Sequence, residues 1–329
     1  MSGPTAHAAD DGSTTRIDVH AHFLPAAYEA ALKRAGVDRL DGMPTGIPAW
    51  SVGEALRLMD NVGIGRSVLS ISSPGVDLGR GAAAACDLSR RVNDAAAAIV
   101  AEHPDRFAFV ASLPLPVIDA ALEEIDRALG TLGAAGVVLL SHYQGHYLGD
   151  RMFAPVFEAL NARRAVAVLH PTAPCQVNGS WTYPPPLLDF SFETTRTVVD
   201  LVLNRTLQRC PQVRVVVPHG GSALPLLVDR IERVAGILAR AAGNEPVDVR
   251  SSLTRMWYDV AGCTPDGSLP ALASIVSDDR LLYGSDFPFT PADRVAELSR
   301  MLATTPLLSS EQRERLYRDN ALSLLAAHR

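Results

Sequence analysis

Cysteine is scarce in this sequence, and its four copies, Cys86, Cys175, Cys210 and Cys263, are widely separated with no C-x-x-C pair. That spacing argues against a disulfide framework and predicts reduced thiols in a cytoplasmic protein, with Cys175 read as a small loop side chain. Long apolar runs are also missing. The longest candidate, the alanine-rich stretch 95–101, falls far short of the roughly 18 to 20 residues of a membrane span and reads as buried helix. The start of the chain lacks a charged segment followed by an apolar one, so no secretory signal is read there. Basic runs are absent too: Lys and Arg are scattered without interleaved aromatics, and the formal net charge is -6, which excludes a phosphate-tracking surface for nucleic acid. Finally, no Gly-rich phosphate loop follows the first strand, which counts against a doubly wound dinucleotide fold.

What remains is an ordinary globular composition, 47% hydrophobic and 20% charged, with enough length for one large barrel carrying insertions. Residues 1–15 read as a flexible lead-in and 16–329 as a single domain. Short β-branched runs at 17–20, 67–71, 107–113, 136–141, 165–170, 213–218, 256–260 and 281–283 alternate with segments of helical period. Those fall at 52–62, 82–102, 117–129, 153–163, 193–209, 223–242, 269–277 and 292–303, and 309–329 reads as a terminal helix. Alternation of this kind predicts an α/β protein, a TIM-type (β/α)8 barrel. Two stretches break the repeat, 23–49 and 171–190. They are expected to be enlarged loops after strands 1 and 5, on the C-terminal face where barrel active sites sit.

Polar residues gather at the predicted strand ends. His20 and His22 lie two apart in the first strand, His170 ends the fifth, His219 follows the sixth and Asp286 lies just past the eighth. Alternate residues of a strand share a face, so Asp18, His20 and His22 are expected to point inward together, with Asp18 supporting the histidines. Three imidazoles and a carboxylate suit one divalent metal ion, Zn²⁺ with Mn²⁺ as the alternative, and leave a position open for water or substrate. The remaining histidine would serve as a proton shuttle. His142 and His146, after the fourth strand, read more readily as solvated loop residues than as pocket walls.

The runs IDVHAHFLP at 17–25, LHP at 169–171, VPHGG at 217–221 and YGSDFP at 283–288 resemble the amidohydrolase superfamily. More narrowly they are similar to its decarboxylase branch related to aminocarboxymuconate semialdehyde decarboxylase. LPLP at 113–116, LLSHY at 139–143, LGD at 148–150 and FETTR at 192–196 look like 6-methylsalicylate decarboxylase-type members. The resemblance implies His20, His22, His170 and Asp286 as metal ligands and His219 as an adjacent acid, base or substrate-orienting group. It implies Arg230 near substrate, in some relatives across a homodimer interface, and Arg196 as a second candidate grip on carboxylate. Pro218 stands where relatives often carry a small residue. The segment after Trp50 lacks an arginine that some relatives use for a second carboxylate, which disfavours a dicarboxylate muconate substrate.

The expected activity is therefore non-oxidative decarboxylation of a small hydroxylated aromatic acid, 6-methylsalicylate-like, with Asp286 and His219 catalytic. The metal would hold the substrate's carboxylate and ortho hydroxyl while Asp286 delivers a proton to the ring carbon. Phe23, Trp181, Phe192 and Phe287, with Phe190 and Phe289, are candidates for a flat, dry slot around the ring. The rival is hydrolysis of a lactone, ester or amide by water activated at the same site. A small aromatic carboxylic acid is the expected partner, without nucleic acid or membrane.

Overall fold

Runs of Val, Ile and Leu too short for helices and flanked by turn residues become strands in the computed structural model, which describes residues 15–175 and 182–326. In chain order they are β1 (Arg16–His22), β2 (Ile64–Ser70), β3 (Phe107–Phe109), β4 (Ala111–Ser112), β5 (Val137–Leu140), a small hairpin of β6 (His142–Tyr143) and β7 (His146–Tyr147), then β8 (Val166–His170), β9 (Arg214–Val217), β10 (Trp257–Asp259) and β11 (Leu281–Leu282). β1, β2 and β3 pair in parallel, and β4, β5, β8, β9, β10 and β11 pair in that spatial order. β3 and β4 are two pieces of one interrupted strand. The ring closes where Val19 N donates to Tyr283 O at 3.0 Å and His22 N donates to Phe287 O at 2.7 Å. Eight parallel strands thus form a closed barrel, the architecture expected from the alternating pattern.

Helices fill the connections: α1 (Ala26–Ala35), α2 (Val52–Val62), α3 (Ala82–Glu102), α4 (Ile118–Gly130), α5 (Ala154–Ala162), α6 (Asp189–Leu203), α7 (Thr206–Arg209), α8 (Leu224–Ala241), α9 (Val249–Thr254), α10 (Ser268–Ala273), α11 (Ala292–Thr304), α12 (Ser310–Glu314) and α13 (Asn320–Ala326). α2 shows why the sequence ends were readable. Ser51 accepts from Glu54 N at 3.2 Å, Ala55, Leu58, Met59 and Val62 supply the buried stripe, and Gly63 leaves the helix at φ 69°. α1 differs from expectation, since it forms inside the stretch read as loop. Its alanine-rich segment has high helix propensity but begins at Pro25 without a side-chain cap, so the usual start signal is missing. Among the described residues, no helix is long and apolar enough to cross a membrane.

Two apolar layers result. Ile17, Val19, Val68, Val138, Val168, Val216 and Leu282 fill the barrel, and Ala321 and Leu324 of α13 close that cluster. A larger layer packs between strands and helices. Each such Val or Leu contributes about 1.5–3 kcal/mol by burial.

One departure from simple alternation decides how the site is built. Along β1, Asp18 pairs with Ser67 and Ala21 with Leu69, so three steps on one strand face two on the other. The extra residue is a bulge. Ile17 and Val19 point into the barrel below it, whereas His20 and His22 point in above it. Asp18 therefore does not share their face; it lies on the outer face with Ser67, correcting the sequence expectation. Its carboxylate accepts from the bulged His20 N at 3.1 Å, from Ser285 N at 3.0 Å and from Ser285 Oγ at 2.6 Å. Asp18 fixes the bulge and ties it to the end of β11.

Gly284 permits that junction. A Cβ there would meet the Cβ atoms of His20 at 2.9 Å, Asp259 at 3.2 Å and Ala261 at 3.3 Å. Replacing Gly284 with Ala is expected to destabilise the fold by about 1–3 kcal/mol, because none of these backbone-bound carbons can swing away. Chemical denaturation should show it as a lower midpoint with unchanged slope.

Candidate metal centre

The bulge and the strand ends bring His20, His22, His170 and Asp286 together, with one donor atom of each lying within 4.8 Å of all the others. His20 Nε2 stands 3.1 Å from His22 Nε2, which stands 3.1 Å from Asp286 Oδ1. The opposite ring nitrogens are engaged. His20 Nδ1 lies 2.9 Å from Asp259 Oδ2, His22 Nδ1 3.3 Å from Ser70 O, and His170 Nδ1 2.7 Å from Pro171 O. These acceptors hold a proton on each Nδ1 and leave the Nε2 lone pairs facing one another, an arrangement that fits a divalent cation.

Electrostatics support the same fit. Burial lowers the His22 pKa, and burial with the charges of His22 and His20 takes His170 well below its usual value, so both rings are neutral donors. Burial alone would lower His20 as well, but Asp259's charge and hydrogen bond outweigh it and lift the ring to about 9. Burial opposes ionisation of Asp286, yet hydrogen bonds from His219 and His22 and the charge of His20 hold its carboxyl well below the usual range.

His219 stands at the rim, a quarter exposed, with Nε2 3.9 Å from Asp286 Oδ2. Both residues have positive φ, 54° and 58°. Such conformations cost non-glycine residues on the order of 1–3 kcal/mol each and persist only when neighbours enforce them. Here His219 N donates to Asp259 Oδ1 at 3.0 Å, and Asp286 N donates to His20 O at 2.7 Å.

Asp259 escaped the sequence reading, although the signal was present: a carboxylate stands one residue before the end of the seventh predicted strand, much as His170 ends the fifth. It grips His20 with one oxygen and the His219 backbone with the other. Replacing Asp259 with Asn is expected to weaken metal binding about 10- to 100-fold, because a single amide oxygen cannot accept from both His20 Nδ1 and the His219 N–H as the carboxylate does. Competitive titration against a chromogenic chelator would measure the loss.

The remaining expected contacts divide. Phe289 packs edge-on against His22 at 5.2 Å between centroids, and Phe190 against His170 at 6.2 Å. Phe23 is instead core, 2% exposed and against Trp50. Phe287 lines a surface cavity with Ala49, Arg57 and Leu58 beside α2, while Phe192 faces solvent. In place of Phe287 and Phe192, the neighbouring Phe289 and Phe190 take the inward positions, because the strand-end turn and the helix phase set direction. Trp181 lies outside the described residues. Arg196 is bound to buried Glu193 at 2.6 Å, and Arg230 is exposed on α8. His146 is exposed and pairs with Asp150, but His142 is buried against Ala173 O at 3.0 Å, contrary to its reading as solvated. The single lysine, Lys33, is exposed on α1, so no side-chain amine serves this site.

A closed parallel barrel with imidazoles and a carboxylate converging inside its C-terminal mouth defines a barrel protein with a metal-type centre. The chain belongs to the amidohydrolase family, whose sequence profile matches residues 17–326. It is 35% identical over 327 residues to decarboxylase yanB of Aspergillus niger, covering 94% of this chain and 87% of that protein. It is 32% identical over 306 residues to the 6-methylsalicylic acid decarboxylase of Penicillium expansum, covering 91% and 93%. A crystal structure described as amidohydrolase II superposes with TM-score 0.89 at 35% identity, covering 95% of this chain and all of that one.

Proposed function

We propose that this chain, as one barrel domain over 16–329, is a metal-dependent non-oxidative decarboxylase of a small hydroxylated aromatic acid of the 6-methylsalicylate type. The observation that carries the reading is the placement of two aromatic rings, Phe289 and Phe190, against the ligand histidines His22 and His170. An acid reaching the centre meets flat apolar walls there. The named decarboxylases among its relatives support the same reaction class.

His20, His22, His170 and Asp286 would hold the cation. When bound, it would act as a Lewis acid toward the carboxylate and an adjacent hydroxyl of the substrate. Zn²⁺ suits the three imidazoles, whereas Mn²⁺ accompanies two structural neighbours, and elemental analysis of purified protein decides between them. Asp286 directs Oδ1 to the histidine cage and Oδ2 toward His219. A proton taken up by His219 at the rim passes to Asp286 Oδ2 and then to the ring carbon bearing the carboxylate. The bond to the carboxylate carbon breaks, its electron pair restores the aromatic ring, and CO2 leaves. The phenylalanine walls exclude competing water.

Metal-loaded protein should release CO2 from 2-hydroxybenzoates, and a chelator should abolish the release. Lactone or ester opening without CO2 release would overturn the reading in favour of hydrolysis.

Arg230 supports a homodimer rather than a grip within its own barrel. It shares an exposed face of α8 with Leu226, Val234 and Ile237, the leucine 82% exposed. Replacing Leu226 and Ile237 together with Glu should convert dimer to monomer in light scattering; an unchanged mass excludes this face. All four cysteines are free thiols, which supports a cytoplasmic location.

A further inference from the structure

A small cavity of about 20 Å³ lies inside the mouth, lined by Ile71, Gly75, Val76, Ser112, Leu113, Val138, Leu140 and Tyr143. Strand register places it beside the histidine cage. Leu140 is the cross-strand partner of His170, Ser70 that of His22, and Ser112 that of the inward-facing Val138. The cavity therefore sits at the level of the ligand histidines, on the β4–β5 side.

Its chemistry is unusual for a packing defect. Ser112 is 4% exposed, and its hydroxyl has no hydrogen-bond partner among the described residues. A buried unsatisfied hydroxyl costs about 1–3 kcal/mol, so its retention needs a reason. The backbone of Ser112 is fully engaged: Ser89 Oγ and Asn93 Nδ2 donate to its carbonyl at 2.8 and 2.9 Å, and its N–H donates to Asn93 Oδ1 at 2.9 Å. Glu124 accepts from Asn93 Nδ2 at 2.6 Å and is itself bound by Arg127. A buried network thus fixes Ser112 and leaves only its hydroxyl uncommitted. Tyr143 also lines the cavity; its OH accepts from Leu140 N at 3.0 Å and still has its own proton to donate. Gly75, at φ 76°, lets the capping loop come close, since a Cβ there would stand 2.9 Å from Leu140 Cδ1.

Two hydroxyl-bearing residues in the lining of a space otherwise walled by Ile71, Val76, Leu113, Val138 and Leu140 match a small, mainly apolar molecule with a weak acceptor at each end. We propose that this cavity receives the CO2 released at the metal centre, with Ser112 Oγ and Tyr143 OH each donating to one of its oxygens. The inference rests on the decarboxylase reading. It gives the leaving group a place away from the ring carbon that carried it, which limits recapture before the aromatic product departs.

The test is a crystal of metal-loaded protein pressurised with CO2, alongside the Ser112→Val variant, which removes the hydroxyl and fills the space. Elongated density between Ser112 Oγ and Tyr143 OH, appearing with pressure and missing in S112V, is expected. A round peak insensitive to pressure, an ordered water only, would overturn the proposal. In solution, the inhibition constant for dissolved CO2 should rise about fivefold in both S112V and Ser112→Ala relative to the acid KM, a single hydrogen bond's worth. An unchanged ratio in both variants also overturns it. Failure of the wild-type protein to evolve CO2 from any hydroxybenzoate would instead remove the decarboxylase reading, whereas CO2 evolution with only a water peak removes the cavity's role alone.

Discussion

Replacing Asp286 with Asn is expected to lower kcat at least ~10³-fold while the barrel stays folded, since general acid–base groups contribute about 10²–10⁴ and this residue would also hold the proposed cation. Asn matches the carboxylate in shape but carries neither its charge nor an exchangeable acid proton. Two roles fall together. Oδ1 no longer completes the cage 3.1 Å from His22 Nε2, and Oδ2 no longer receives a proton from His219, 3.9 Å away. Initial rates of CO2 release, taken at saturating metal with metal content measured in the same sample, separate the two. Low activity at full metal occupancy assigns the loss to proton delivery. Near wild-type turnover would remove Asp286 from the chemistry.

Metal removal should have the largest effect on stability. A ligand at a thousand times its dissociation constant stabilises the folded state by about 4 kcal/mol. For a chain of this length that corresponds to roughly 8 °C in Tm, at about 2 °C per kcal/mol. Without a cation, the Nε2 atoms of His20 and His22 oppose each other at 3.1 Å, both buried. That contact then has to be relieved by a proton on His20, the ring that Asp259 lifts to about 9. Scanning calorimetry with and without chelator reads the difference. His170→Ala should reproduce the chelated value and respond little to added metal. A Tm indifferent to chelator would mean that the four residues hold no structural cation.

The clustering of polar residues was legible because it follows a one-dimensional rule: His22, His170, His219 and Asp286 each stand at or just past the end of a β-branched run, and a parallel barrel gathers such ends at one mouth. Asp259 obeys the same rule and was readable in principle. The helix of 82–102 was found to the residue because Gly81 and His103 bracket an unbroken periodic stretch. Other features are not local. Which phenylalanine of each pair faces inward depends on the turn at Asp286 and the phase of α6, and no single segment records it. Ser112 acquires its position from Asn93, 19 residues away, and Asn93 from Glu124, 31 residues away. The β1 bulge is similarly hidden, since DVHAH reads as plain alternation until Leu69 and Ser67 set the spacing opposite.

That bulge divides one strand into two parts of unequal standing. Ile17 and Val19 belong to the filled interior and are held whether or not a cation is present, whereas His20 and His22 would hold the proposed cation. The two halves should therefore open independently, so that in metal-free protein the amides of 20–22 exchange with deuterium well before those of 17–19. The first strand of this barrel is half scaffold and half adjustable rim, and Asp18 marks the joint.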